Sequence, residues 1–199
     1  VSEAHRIVAD GITDRETLVA AKEYTETVMA PLMLDIPFNN RAYLKPLGYP
    51  GDYQVMLYYY NRSFEGDTVF AKVFHRIGID YPLAIGVCTR KDYIVELTGN
   101  EHDRVADERG AAGELRVASL GCGPAREVSD YVAHRQSWPC PAVFTLIDQE
   151  EEALGVAYRA CKREIGLKDV PVGLDLLNLS FFQMMTEGVP LHEPESQDF

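Results

Sequence analysis

The apolar positions follow two different rhythms along the chain. Before residue 100 they recur at helical spacing, and after residue 114 they gather in short runs separated by further helical stretches. From Thr13 to about Met33, Leu18, Ala21, Thr25, Val28 and Leu32 share one stripe. That stripe follows the capping pattern Thr13-Asp14-Arg15-Glu16, and Pro31 bends or ends the helix. Residues 37–60 read differently: Pro46, Gly48, Pro50 and Gly51 stand among aromatic and charged residues, too many breakers for a helix until Gln54–Tyr60. Glu65-Gly66-Asp67 caps a helix carrying Val69, Phe70, Val73, Phe74 and Ile77. Another helix runs from about Pro82 to Leu97 and stops at Gly99. The polar stretch Asn100–Glu114 marks the expected boundary, giving a helical N-terminal cap over 1–113 and an α/β part over 114–199.

The second part reads as strand, helix, strand, helix, strand. Val117-Ala118-Ser119-Leu120 is strand-like, a helix follows from Pro124 to about Gln136, and Ala142–Ile147 is a second strand ending in Asp148. Gln149–Glu152 opens a helix with a slim face of Ala153, Ala157, Ala160 and Cys161, which Gly166 stops. Val170–Leu176 is a third strand, at an edge because it holds Pro171, and a short helix follows Ser180. Ser196–Phe199 reads as the start of a fourth strand. With Val1 at the other end, the chain reads as a piece of a longer protein.

The chemistry centres on Leu120-Gly121-Cys122-Gly123-Pro124-Ala125-Arg126-Glu127. Gly121 and Gly123 keep a turn bare for a ligand, and the following helix start offers N–H groups and a positive dipole end. Asp148, at the tip of the second strand, is placed to accept from a ribose diol, with Gln149 beside it. Strand, Gly-x-Gly, helix, strand, Asp is a nucleoside-binding half-fold. The dinucleotide fingerprint needs a third glycine where this chain has Arg126, which argues against a nicotinamide cofactor. Cys122 reads as a small residue lining the cleft rather than a nucleophile. Arg90 reads either as part of a solvated helix face or as a partner for a cofactor carboxylate. Glu127 is either a helix-stabilising first-turn acid or, with Asp52, a base for a hydroxyl acceptor.

Composition narrows the partners. The 199 residues carry a formal net charge of −12, so a nucleic-acid partner is not expected. No apolar run is long enough to span a bilayer, no signal peptide is visible, and the four cysteines and five histidines show no metal spacing. The expected setting is a reducing cytoplasm and the expected partner a small molecule, with a homodimer left open.

The glycine loop resembles the cofactor loop of class I S-adenosylmethionine-dependent methyltransferases. It departs from that family's acidic-x-Gly-x-Gly-x-Gly pattern at Ser119, in the acidic place, and at Ala125. Together with Lys45-Pro46-Leu47-Gly48-Tyr49-Pro50-Gly51-Asp52-Tyr53, it is similar to bacterial methyltransferases identified as extracellular-factor, 3-hydroxypalmitate methyl ester biosynthesis proteins. The resemblance implies a Rossmann-like sheet with a helical N-terminal cap, and methyl transfer from S-adenosyl-L-methionine to a fatty-acid carboxylate. It implies that Gly121, Cys122 and Gly123 hold the methionine part, that Asp148 binds the ribose, and that Asn178 and Leu179 border the adenine; Tyr49, Arg90, Pro124, Glu127 and Gln149 join the expected cofactor-binding set. Tyr49 and Asp52 would close over the methyl group or the substrate, making 37–60 a lid instead of a loop pinned by its tyrosines. A non-catalytic module that binds S-adenosylmethionine or S-adenosylhomocysteine is the alternative.

Overall fold

The computed structural model describes residues 14–187 and divides into two compact units. One comprises Val1–Pro50 and Phe64–Gly78, the other Gly51–Ser63 and Ile79–Phe199. The division therefore does not fall at 113/114. The fourth strand expected at Ser196–Phe199 lies outside the described residues, as does Thr13.

The first unit is helical. Helix α1 (Arg15–Tyr24) is capped by Asp14, whose carboxylate accepts from Thr17 N–H at 2.8 Å, so the cap is one residue later than the Thr13 pattern predicts. It continues through a π-helical segment, Thr25–Met29, into α2 (Ala30–Leu34). Pro31 cannot donate to the carbonyl four residues back, and the widened turn stands immediately before that gap. Pro37–Leu44 forms helix α3, where a breaker-rich loop is expected; Pro37 sits at its start, where a missing N–H is harmless. Helix α5 (Val69–Ile79) closes this unit. Thr68 Oγ1 accepts from Ala71 N–H at 3.0 Å, so Thr68 is the cap, not Glu65–Asp67. His75 is fully buried and its Nδ1 accepts from Phe38 N–H at 3.2 Å.

The second unit holds α4 (Tyr53–Asn61), α6 (Pro82–Arg109), α7 (Arg126–His134), α8 (Glu151–Lys168), α9 (Phe181–Glu187) and three strands. Helix α6 passes through Gly99 and ends at Gly110, which has φ 63°. The expected linker at Asn100–Glu114 is thus mostly helix. Arg104 pairs with Glu101 and Glu108 on its outer side, while His102 and Val105 are buried on the inner. His102 Nε2–H donates to Cys140 C=O at 2.9 Å and its Nδ1 accepts from Tyr131 O–H at 2.6 Å, tying α6 to α7 and to the entry of the second strand. Lys91 Nζ reaches Asp130 at 2.5 Å from the same helix.

Strands β1 (Leu115–Leu120), β2 (Ala142–Asp148) and β3 (Val172–Asn178) form a parallel sheet in the order β1-β2-β3. Ser119, Leu146 and Leu176 lie in register across it, as do Val117, Phe144 and Leu174. This face packs against Val128 and Tyr131 of α7 and Leu154, Ala157 and Cys161 of α8. The α/β class is as expected. Pro171 precedes the edge strand β3 and accepts from Ala142 N–H through its carbonyl. Among the described residues β1 pairs with β2 alone and so lies at an edge of the sheet. Helix α8 runs past Gly166 to Lys168, and α7 begins two residues after Pro124. Among the described residues, no helix is long and apolar enough to cross a membrane, and no three His, Cys, Asp or Glu side chains group to hold a metal.

Candidate functional site

The carboxyl ends of the three strands meet at the glycine bend. Three residues there take left-handed backbone angles: Gly121 at φ 62°, Gly123 at φ 52° and Ala125 at φ 43°. For Gly121 and Gly123 this is the reason for glycine. For Ala125, fully buried, it is strain of roughly 1–2 kcal/mol, held by the contacts of the helix start. Ala125 C=O accepts from Val128 and Ser129 N–H and so begins α7, which leaves Pro124 in the bend instead of at the first helical position. A side chain on Gly123 would meet nothing within 4 Å; one on Gly121 would meet the Phe181 ring at 3.2 Å. The space over Gly123 is open, and Phe181 forms a wall over Gly121.

The N–H groups of the bend itself are engaged within the fold. Cys122 N–H donates to Ile147 C=O at 3.0 Å and Gly123 N–H to Asp148 Oδ2 at 2.8 Å. Asp148 is the hub of the strand ends. Its Oδ1 accepts from Glu150 N–H at 2.9 Å, and its carbonyl accepts from Leu179 N–H and Asn178 Nδ2, both at 3.1 Å. The side chain is 7% exposed. Asp148 and Asn178 thus hold bend, β2 and β3 together, and each Asp148 carboxylate oxygen has capacity for a second donor. Gln149 is exposed next to it.

On the other side of the bend, four elements bring polar groups together. Glu127, in the first turn of α7, accepts from Ser119 Oγ at 3.2 Å. Burial pushes the Glu127 carboxyl above its ordinary range, against the opposing pull of its own N–H, Ser119 and the Arg90 charge. Arg90, on α6, lies near the Tyr60 hydroxyl from α4, whose pKa is raised by burial and by the nearby Glu127, against the opposing pull of the Arg90 charge. A hollow of about 240 Å³ lies alongside, bounded by Ile94, Thr98, Ser119, Leu120, Glu127 and Val128. Burial, with Asp148 and Glu127 nearby, pushes the Cys122 thiol far up, so it is a protonated lining group and no nucleophile. A larger cleft of about 890 Å³, lined by Tyr53, Glu152, Tyr158, Arg159 and Leu176, lies along α8, and no residue of the glycine bend lines it.

The expected site residues are brought together in part. Arg90, Gly121, Cys122, Gly123, Pro124, Glu127, Asp148, Gln149, Asn178 and Leu179 all belong to the second unit. Tyr49 belongs to the first. Asp52 is 1% exposed and caps α4, its Oδ1 accepting from Gln54 and Val55 N–H at 3.0 and 3.1 Å; that is a structural post for a residue read as a base. Tyr60 and Phe181 carry no sequence signal for their places here. Ser119, read only as a missing acid, turns out to bind one. A scan against protein-family models returns no match, and no curated protein matches the sequence significantly.

Proposed function

We propose that the second unit binds S-adenosylmethionine and that the protein transfers its methyl group to a small-molecule acceptor, a fatty-acid carboxylate by the resemblance of its motifs. The observation that carries this reading is the pairing of opposite charges beside the bend. A pyrophosphate needs free N–H donors and positive charge at a helix start. Here the bend's donors are committed and Glu127 places a carboxylate at that start. A Glu127 carboxyl with the Arg90 guanidinium and Tyr60 hydroxyl nearby suits a zwitterion: ammonium to Glu127, carboxylate to Arg90 and Tyr60. Glu127, bonded to Ser119, supplies the acid that the motif lacks at 119. The remaining lone pairs of Asp148 suit a ribose diol, and the open space above Gly123 admits the ligand.

Methyl transfer from a sulfonium is a direct displacement, and the sulfonium supplies the activated methyl. The protein's part is to hold the donor rigidly by both ends and bring the acceptor into line; such positioning is worth ~7–11 kcal/mol of barrier. A carboxylate acceptor needs no base, which agrees with Asp52 being spent on a helix cap. Calorimetry should show that S-adenosylhomocysteine binds and NAD does not, and methyl transfer to 3-hydroxy fatty acids should follow. Binding of NAD alone overturns the reading. Binding of S-adenosylhomocysteine with no turnover on any acceptor leaves a sensor in place of an enzyme.

A further inference from the structure

Helix α5 is apolar on two opposite sides. At ~100° per residue, Val69, Phe70, Val73, Phe74 and Ile77 fall within an arc of roughly 140°. All five are exposed, Val69 by 81% and Ile77 by 56%, and Phe70 and Phe74 stack with ring centroids 4.4 Å apart. Ala71 and His75, both fully buried, lie on the opposite side and seat the helix in its own unit. An exposed apolar arc of that width on a helix already seated by its other side calls for a second covering surface.

The rest of the first unit shows the same imbalance. Helix α1 and the turns after it expose Leu18, Val19, Tyr24, Val28 and Leu32. Among its described residues, the buried apolar side chains are Ile36 and Ala71. A domain of about 60 residues is marginal even with a full core. At ~200 Å² for a large apolar side chain, the α5 face exposes on the order of 500 Å² and the α1–α2 run about as much again. A stable interface takes about 800 Å² per partner. The two faces together meet that figure; either alone does not.

We propose that this surface pairs two copies of the chain about a two-fold axis, α5 of one lying beside α1 of the other. Each copy carries both halves, as an isologous contact requires. The charges agree with this pairing. Lys72 and Arg76 are the charged residues of α5, and Glu16, Glu23 and Glu26 outnumber the bases of the α1 stretch, so α5 beside α1 of the partner copy sets opposite signs together. A net charge of −12 opposes the other obvious occupant, an anionic bilayer surface.

Sedimentation velocity on the full chain from about 1 to 100 μM tests this. A dimer is expected. Val73→Glu should raise its dissociation constant by about 100-fold or more, since an unpaired carboxylate would be buried, with the far-ultraviolet circular dichroism unchanged. Lys72→Glu, which leaves the apolar face intact, should weaken the dimer severalfold, and adding Glu23→Lys should restore it. A wild-type chain that stays monomeric throughout overturns the proposal. So does a Val73→Glu dimer as tight as wild type, or a monomer that instead floats with phosphatidylcholine vesicles.

Discussion

Asp148→Asn is the substitution that separates a structural staple from a ligand contact. The wild-type carboxylate accepts Gly123 N–H on Oδ2 and Glu150 N–H on Oδ1, at 2.8 and 2.9 Å, and is 7% exposed. Asparagine can accept only one of the two; its NH₂ must face the other N–H, donor against donor. A hydrogen bond to a charged group contributes about 1.5–3 kcal/mol, and stranding a buried donor costs about 1–3 kcal/mol. The loss of one bond, with weakening of the other as its acceptor becomes neutral, comes to about 2–4 kcal/mol. For a chain of this size that is a fall in Tm of roughly 5–15 °C. The assay is thermal unfolding in the absence of any ligand, followed by near-ultraviolet circular dichroism. If Asp148 served only a ribose, ligand-free stability would be untouched. An Asp148→Asn protein that melts with wild type therefore refutes the staple.

Other expectations follow from the same geometry. Glu127→Gln should leave the ligand-free protein at least as stable as wild type at neutral pH, because burial opposes the charged form, yet abolish S-adenosylhomocysteine binding in calorimetry; loss of both stability and binding would make Glu127 a structural acid. His102 is buried neutral, its pKa lowered from 6.5 chiefly by burial, against the upward pull of the Cys140 carbonyl. Its contribution is present above pH 6.5 and is lost as pH falls below that, where the unfolded chain takes up a proton and the folded chain does not. Urea unfolding should give a lower stability at pH 5.5 than at pH 7.5, and a shallower difference in His102→Gln; His75, shifted the same way by burial, accounts for a remainder.

The strand–turn–helix–strand half of the fold is legible in the sequence because each feature is local. Short apolar runs bounded by Gly121 and Asp148 define two strands, and the acidic tip of β2 does sit at the bend. The misread segments share a cause: breakers placed where they break nothing. Pro37 starts a helix, where its missing donor costs nothing. Gly99 and Gly166 sit inside helices whose neighbours, His102 and Val105 in one and Ala157 and Cys161 in the other, are anchored in the core; that anchoring outweighs the ~1 kcal/mol a helical glycine costs. The polar cluster was half legible. Glu127 and Arg90 stand out as charges, but nothing local says that Tyr60, 30 residues before Arg90, would meet them. The bonds made by the bend's N–H groups carry no sequence signal, because their acceptors, Ile147 C=O and the Asp148 carboxylate, each lie 25 residues away.

The central claim is that one end of the site receives a zwitterion. S-Adenosylhomocysteine and 5′-methylthioadenosine share the adenosyl thioether and differ in the amino-acid tail. Calorimetry of both against the wild-type chain, and against Arg90→Ala, is the most direct test. S-Adenosylhomocysteine should bind more tightly than methylthioadenosine by about 100-fold, as two charge-assisted contacts imply, and Arg90→Ala should remove most of that difference. Equal affinity for the two nucleosides contradicts it, and so does a difference that Arg90→Ala leaves intact.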